Sequence, residues 1–150
     1  MLINVDPLLS PEILSLLRSM GHGDRFVLSD ANFPSYSHNS TLIRMDGLNI
    51  PQAAKAILSV FPLDSFIAEP VIRMEIDGKP EEINEVHQDL INTVKDVSGN
   101  NWKVGSIERQ KFYAEAKKAF AVITTSDTRP YGCFIFTKGV LKPDGSVWIV

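Results

Sequence analysis

Apolar residues recur along this chain in two rhythms, and the changes of rhythm set out the elements. Ile13, Leu16, Leu17 and Met20 fall at i, i+3, i+4 and i+7, one face of an α-helix. Ser10-Pro11-Glu12 before them supplies a hydroxyl cap, a proline at the first helical position and an acid at the positive dipole end. Gly21 is placed to stop that helix in a left-handed conformation, and His22-Gly23-Asp24 to form a tight loop. Residues 25–29 then read as a short buried strand, with Asp30 at its C-terminal end. A second strand is expected at 41–44, and Asn49-Ile50-Pro51 opens a helix striped by Ala53, Ile57, Val60 and Phe61. Residues 69–76 predict a strand ending in the turn Asp77-Gly78. A helix is expected from Pro80 to about Val97, with Ile83, Val86, Leu90, Val94 and Val97 inward and Ser98-Gly99-Asn100-Asn101 closing it. Residues 102–107 read as extended, 108–118 as a short helix, and 120–124 and 133–137 as strands around the turn Thr128-Arg129-Pro130-Tyr131-Gly132.

Strands alternating with helices require a sheet covered on both faces, because each sheet face and each helix stripe must find an apolar partner. The expected fold is therefore α/β, a three-layer sandwich with a mostly parallel or mixed central sheet. Its 150 residues, 44% hydrophobic and 22% charged, suit a single domain over 1–150 with one real core. No repeat or long Pro/Gly/Ser-rich linker breaks the chain, and residues 141–150 read as a C-terminal extension, either a separate strand or a docking tail.

Charge and composition narrow the function. A formal net charge of -3 with no run of like charges argues against nucleic-acid binding, which concentrates Lys and Arg on one face. No apolar run is long enough to cross a bilayer and no leader pattern opens the chain, so a cytoplasmic protein without a membrane role is expected. Cys133, the one cysteine, has no internal disulfide partner, no Cys/His cluster has zinc spacing, and no glycine-rich phosphate loop occurs. Neither metal nor cofactor is expected. His22, flanked by two glycines, is the candidate for proton transfer near neutral pH. His38 reads as a polar-loop residue, His87 as lying on a solvated helix face, and Lys117-Lys118 as a solvated helix end. Arg109 and Tyr113, four apart, share a helix face, while Phe112 and Tyr113 are expected chiefly to pack that helix on the sheet.

Pro7-Leu-Leu-Ser-Pro-Glu12, Met20-Gly-His-Gly-Asp24, Ser29-Asp-Ala-Asn-Phe-Pro34 and Asp46-Gly-Leu48 occur in order, followed by residues 112–121 and by Tyr131-Gly132. Together they resemble the L-fucose mutarotase and D-ribose pyranase family over about residues 5–140. The resemblance implies an isomerase that opens and recloses a monosaccharide ring without a cofactor, with His22 as the catalytic acid-base and Asp30 and Arg109 as sugar ligands. It implies substrate binding by Tyr131, Gly132 and Cys133 as well; Cys133 stands where the family has asparagine, which removes an amide donor and acceptor and leaves a backbone contact. Arginine at position 109 resembles the fucose members, histidine being usual in the ribose ones, so L-fucose is the expected sugar. D-ribose, another monosaccharide, or a non-catalytic sugar-binding role are the alternatives. Family members form rings, often decamers, with pockets near subunit boundaries, so a ring-shaped homo-oligomer is implied.

Overall fold

The computed structural model describes residues 1–150 and is organised around one six-stranded sheet. The strands are β1 (Arg25–Ser29), β2 (Leu42–Met45), β3 (Val71–Met74), β4 (Val104–Ile107), β5 (Ala121–Thr125) and β6 (Phe134–Thr137), in the spatial order β2-β5-β1-β6-β3-β4. β1 pairs parallel with β5, β5 with β2, and β3 with β4, while β6 runs antiparallel between β1 and β3. Five strands thus share one direction, and their carboxyl ends form one edge of the sheet.

Side-chain alternation along the strands divides the core between the two faces. Phe26, Leu28, Ile123, Phe134 and Phe136 point into the larger cluster, packed under α1 (Pro11–Ser19), α3 (Ile50–Leu58) and α4 (Glu85–Ser98). Val27, Val122, Ile135 and Met74 point the other way, to Phe112 and Ala116 of α5 (Arg109–Lys118). A four-residue helix, α2 (Ser35–His38), lies on the α5 side. The expected three-layer α/β sandwich with a mixed sheet is therefore the observed architecture.

Local signals account for the helix starts. Ser10 caps α1 by accepting from the Ile13 amide, and Asn49 and Gln52 form a reciprocal capping box on α3. Two expectations need correction. α4 begins after Asn84, whose side chain accepts from the His87 amide, and not at Pro80, so Ile83 stands exposed outside it. Gly21 is not left-handed. Met20 leaves α1 in an extended conformation, the Lys138 ammonium donates to the carbonyls of Leu17 (2.6 Å) and Met20 (2.5 Å), and the positive φ falls on Gly23. Residues 141–147 fold back on themselves as a small hairpin bridged between Leu141 and Val147, and Val60 is more exposed than its place in the stripe suggests.

The close of β6 fixes a second segment. Asp64 donates its amide to Thr137 O, Leu63 bridges Lys138, and a Cβ on Gly139 would stand 2.2 Å from Leu63 O and 2.9 Å from Asp64 Cα. Gly139→Ala is therefore expected to lower stability by about 1–3 kcal/mol through overpacking against backbone. Equilibrium denaturation measures this, and an unchanged midpoint would mean that residues 62–64 are free to move aside.

Candidate active site

Two clusters of polar side chains lie at opposite edges of the sheet. At the carboxyl edge, β1 ends at Asp30, β3 runs on to Asp77, β4 leads into α5 at Glu108-Arg109, and β6 is entered through Tyr131-Gly132-Cys133. In sheets of this kind ligands bind outside the carboxyl ends of the strands. Asp77, Gly78, Glu108, Arg109 and Tyr131 line a cleft of about 420 Å³ there. The Arg109 guanidinium stands 5.9 Å from the centroid of the Tyr113 ring, so the expected shared face of α5 is real, while Phe112 is fully buried in the core. Glu108 caps α5 by accepting from the amides of Gln110 (2.8 Å) and Lys111 (3.3 Å), and the Gln110 bond in particular holds its carboxyl below the ordinary glutamate range.

The turn that carries Tyr131 is rigidly held. Tyr131 is left-handed (φ 59°), and its hydroxyl donates to Asp77 Oδ1 at 2.7 Å, a bond that raises the phenol's pKa. The first turns of α4 grip the same segment. Asn84 Nδ2 donates to Pro130 O (2.9 Å), His87 Nε2 to Tyr131 O (2.9 Å), and Arg129 reaches Asp89 (2.6 Å) while chelating Asp127 through Nε and Nη2. His87 is thus no solvated residue: it is fully buried, 5.8 Å from the Phe134 ring. Its position was legible, since 87, 90 and 94 share the i, i+3, i+7 face.

Asp30 and Cys133 also differ from expectation. Asp30 is 3% exposed, and its carboxylate accepts from Asn32 N (2.9 Å) and Phe33 N (3.0 Å) on one oxygen and from Gly132 N (2.9 Å) and the Cys133 thiol (3.6 Å) on the other. The four lone-pair positions of a carboxylate are all taken by the protein. Burial pushes its pKa up. Asp30 therefore clamps the Tyr131 turn, its two oxygens engaged by three backbone amides and a thiol. Cys133 is buried with Val27, Phe33 and Met74, its thiol pKa raised by desolvation, so its side chain is a core group and not a sugar ligand. Gly132 allows a close approach, for a Cβ there would stand 3.2 Å from Asp30 Cβ.

The second cluster lies at the amino edge. His22 sits in the loop before β1, 46% exposed at its side chain, and its Nε2 is 3.1 Å from Oδ1 of Asp64, which is 3% exposed. The loop is pinned by Gly21 N donating to Asp24 Oδ2 (2.7 Å) and Gly23 N to Lys138 O (2.9 Å). Asp64 left no mark in the sequence; it arrives from 42 residues away through the backbone bonds to Thr137 and Lys138. From Asp24 to Asp30 the extended chain covers roughly 20 Å. Within this chain, then, His22 is not brought to Arg109 and Tyr131.

Burial lowers the His87 pKa to about 4, and its Nδ1 has no hydrogen-bond partner. Arg73, whose charge also disfavours the imidazolium, is the near cation. A histidine depressed below its unfolded value of about 6.5 binds fewer protons when folded, so its contribution is complete above pH ~6.5 and is lost as pH falls toward 4. Stability should therefore decline by up to about 3 kcal/mol over that window through this group, and His87→Gln should flatten that part of the profile. Denaturant titrations of both proteins at several pH values decide it; parallel profiles would contradict the assignment.

No helix is long and apolar enough to cross a membrane. The chain is 38% identical over 140 residues to an L-fucose mutarotase of Actinobacillus pleuropneumoniae serotype 5b, covering 93% of this chain and 97% of that one. It is 43% identical to the fucose mutarotase of Bos taurus over 93% of this chain and 94% of that one. The solved fucose mutarotase of Streptococcus pneumoniae, in complex with L-fucose, superposes with a TM-score of 0.86 at 34% identity, over 94% of this chain and 100% of that one. Residues 3–141 match the RbsD / FucU transport protein family, and the chain belongs to that family.

Proposed function

We propose that this protein interconverts the α and β anomers of L-fucose by acid-base opening and closure of the sugar ring, with His22 carrying the proton. The observation that supports this most is the His22–Asp64 pair, a half-exposed imidazole oriented by a buried carboxylate. The similarity to mutarotases that act on fucose supplies the substrate. Arginine at position 109 favours L-fucose over D-ribose.

A carboxylate only accepts hydrogen bonds, so Asp64 draws the imidazole proton to Nε2 and leaves the Nδ1 lone pair free. Neutral Nδ1 takes the proton from the anomeric hydroxyl as C1 becomes a carbonyl and the C1–O5 bond breaks, and the imidazolium returns that proton to O5. Rotation about C1–C2 and closure on the other carbonyl face give the second anomer, with the histidine restored. Positioned proton transfer of this kind contributes ~10²–10⁴ in rate. Arg109 and Tyr131 hold the sugar hydroxyls, and Asp30 keeps the Tyr131 turn in place for them.

Because His22 lies at the amino edge and Arg109 and Tyr131 at the carboxyl edge, the reading requires two copies per site. The amino edge of one protomer meets the carboxyl edge of the next, a head-to-tail contact that closes into a ring. A ring-shaped homo-oligomer follows from that reading, and the family resemblance implies a decamer.

Saturation-transfer NMR of the anomeric protons of L-fucose should show catalysed exchange, and His22→Gln should lower it by ~10²–10⁴. A folded His22→Gln protein with wild-type exchange would sink the mechanism. Co-refolding His22→Gln with Arg109→Ala, each inactive alone, should restore roughly a quarter of the wild-type rate, since each contact pairs two independently drawn copies. A mixture as inactive as its components would contradict the shared site.

A further inference from the structure

We infer that Phe66 and Trp148 form an aromatic wall that receives the C6 methyl group of the sugar, making the His22 edge the part of the site that selects a 6-deoxy sugar; this rests on the anomer-exchange reading above. Three consecutive residues build the wall. Asp64 holds His22 and, with the same oxygen, accepts from the Phe66 amide at 3.0 Å. Ser65 holds the C-terminal tail, its hydroxyl donating to Trp148 O (2.6 Å) and accepting from Val150 N (3.1 Å). The Phe66 ring stands between, 5.1 Å from the His22 ring and 6.2 Å from Trp148.

The tail that delivers Trp148 lies beyond residues 3–141, the part matched to the family, and its hairpin has structure of its own. Trp148 N donates to Val140 O (2.8 Å), and the Ser146 amide and hydroxyl close the Asp144-Gly145 turn on the Asp144 carboxylate. Both rings of the wall are close to half-exposed, Phe66 at 49% and Trp148 at 45%. Large aromatic surface beside a proton-transfer group, at the edge that the proposed ring sets against the next protomer, is the form expected of a wall of the ligand cleft.

The chemistry of the reaction decides which part of the sugar arrives there. The imidazole exchanges protons at O1 and at the ring oxygen O5. C6 is two bonds from O5, through C5, so a surface on the ring-oxygen side of the imidazole meets the substituent on C5 and one on the other side meets the C2 hydroxyl; an apolar ring suits the first. Phe66 offers that substituent an apolar ring face. A methyl group gains from it, a hydroxymethyl group has its hydroxyl pressed against carbon without a partner, and a hydrogen leaves the wall unfilled.

L-fucose, L-galactose and D-arabinose in their pyranose forms share the configuration at C2 to C4 and carry CH₃, CH₂OH and H on C5. The wild-type protein should exchange L-fucose with a kcat/KM on the order of tenfold or more above the other two. In Phe66→Ala and Trp148→Ala the ratio of L-fucose to D-arabinose should collapse toward one, whereas general damage lowers both sugars together and leaves it standing. In a Trp102→Phe chain Trp148 is the only tryptophan, and its fluorescence should change more on saturation with L-fucose than with D-arabinose. Ratios that match the wild type in both variants, or Trp148 emission indifferent to L-fucose, would overturn the wall. A wild-type protein that exchanges none of the three sugars would overturn the anomer-exchange reading beneath it instead.

Discussion

The pairing of β1 with β6 is the constraint on which everything else depends. β1 has β5 parallel on one side and β6 antiparallel on the other, and the register Arg25↔Thr137 to Leu28↔Phe134 fixes what stands beside each of its ends. At the carboxyl end, the start of β6 places Gly132 on Asp30 and Tyr131 over the cleft with Arg109. At the amino end, the close of β6 carries Lys138 to the loop of His22 and to the C-terminus of α1, and draws Asp64 in after it. One antiparallel strand inserted among five co-directional ones thus serves both edges. A one-residue slip would turn Phe134 and Phe136 out of the larger core and separate both sets of partners.

The two edges are held by different physics. At the carboxyl edge, rigidity comes from saturation. Asp30 has four donors, Arg129 bridges Asp127 and Asp89, and His87 stays neutral in the core to donate to Tyr131 O. Such buried polar networks specify one geometry because every vacancy in them is costly. At the amino edge a single buried carboxylate orients a half-exposed imidazole. A group that holds a sugar benefits from being fixed, whereas a group that moves a proton has to change charge. Under the proposed function, the division between the edges follows that requirement.

What could be read in the sequence was what is local. Ser10-Pro11, Asn49 with Gln52, and the apolar stripes of α1 and α3 are decided within a few residues, and so were the strands. The misreadings at Gly21, Asp30 and Cys133 share a cause in distant contacts. Gly21 is relieved of ending α1 because the Lys138 ammonium, 121 residues from Leu17, supplies the donors a left-handed cap would have given. Asp30 and Cys133 carry polar atoms that a motif makes look free, and the fold spends them on each other and on Gly132. His87 and the start of α4 were avoidable errors, for the place of His87 on the α4 stripe outweighs its polarity and Asn84 is a local cap. Asp64 and the partnership of Phe66 with Trp148 depend on chain crossings at the end of β6 and in the tail, which no periodicity announces.

The proposed proton transfer depends on the state of one ring. If Asp64 draws the imidazole proton to Nε2, then Nδ1 is the atom that takes the anomeric proton. A long-range ¹H–¹⁵N correlation spectrum of protein labelled with ¹⁵N-histidine, recorded where the rings are neutral, reads the tautomer of each histidine directly. The result predicted is a single Nε2–H tautomer for His22, with its unprotonated Nδ1 resonance perturbed on adding L-fucose. An Nδ1–H tautomer, or an Nδ1 resonance unmoved by saturating sugar, would contradict it.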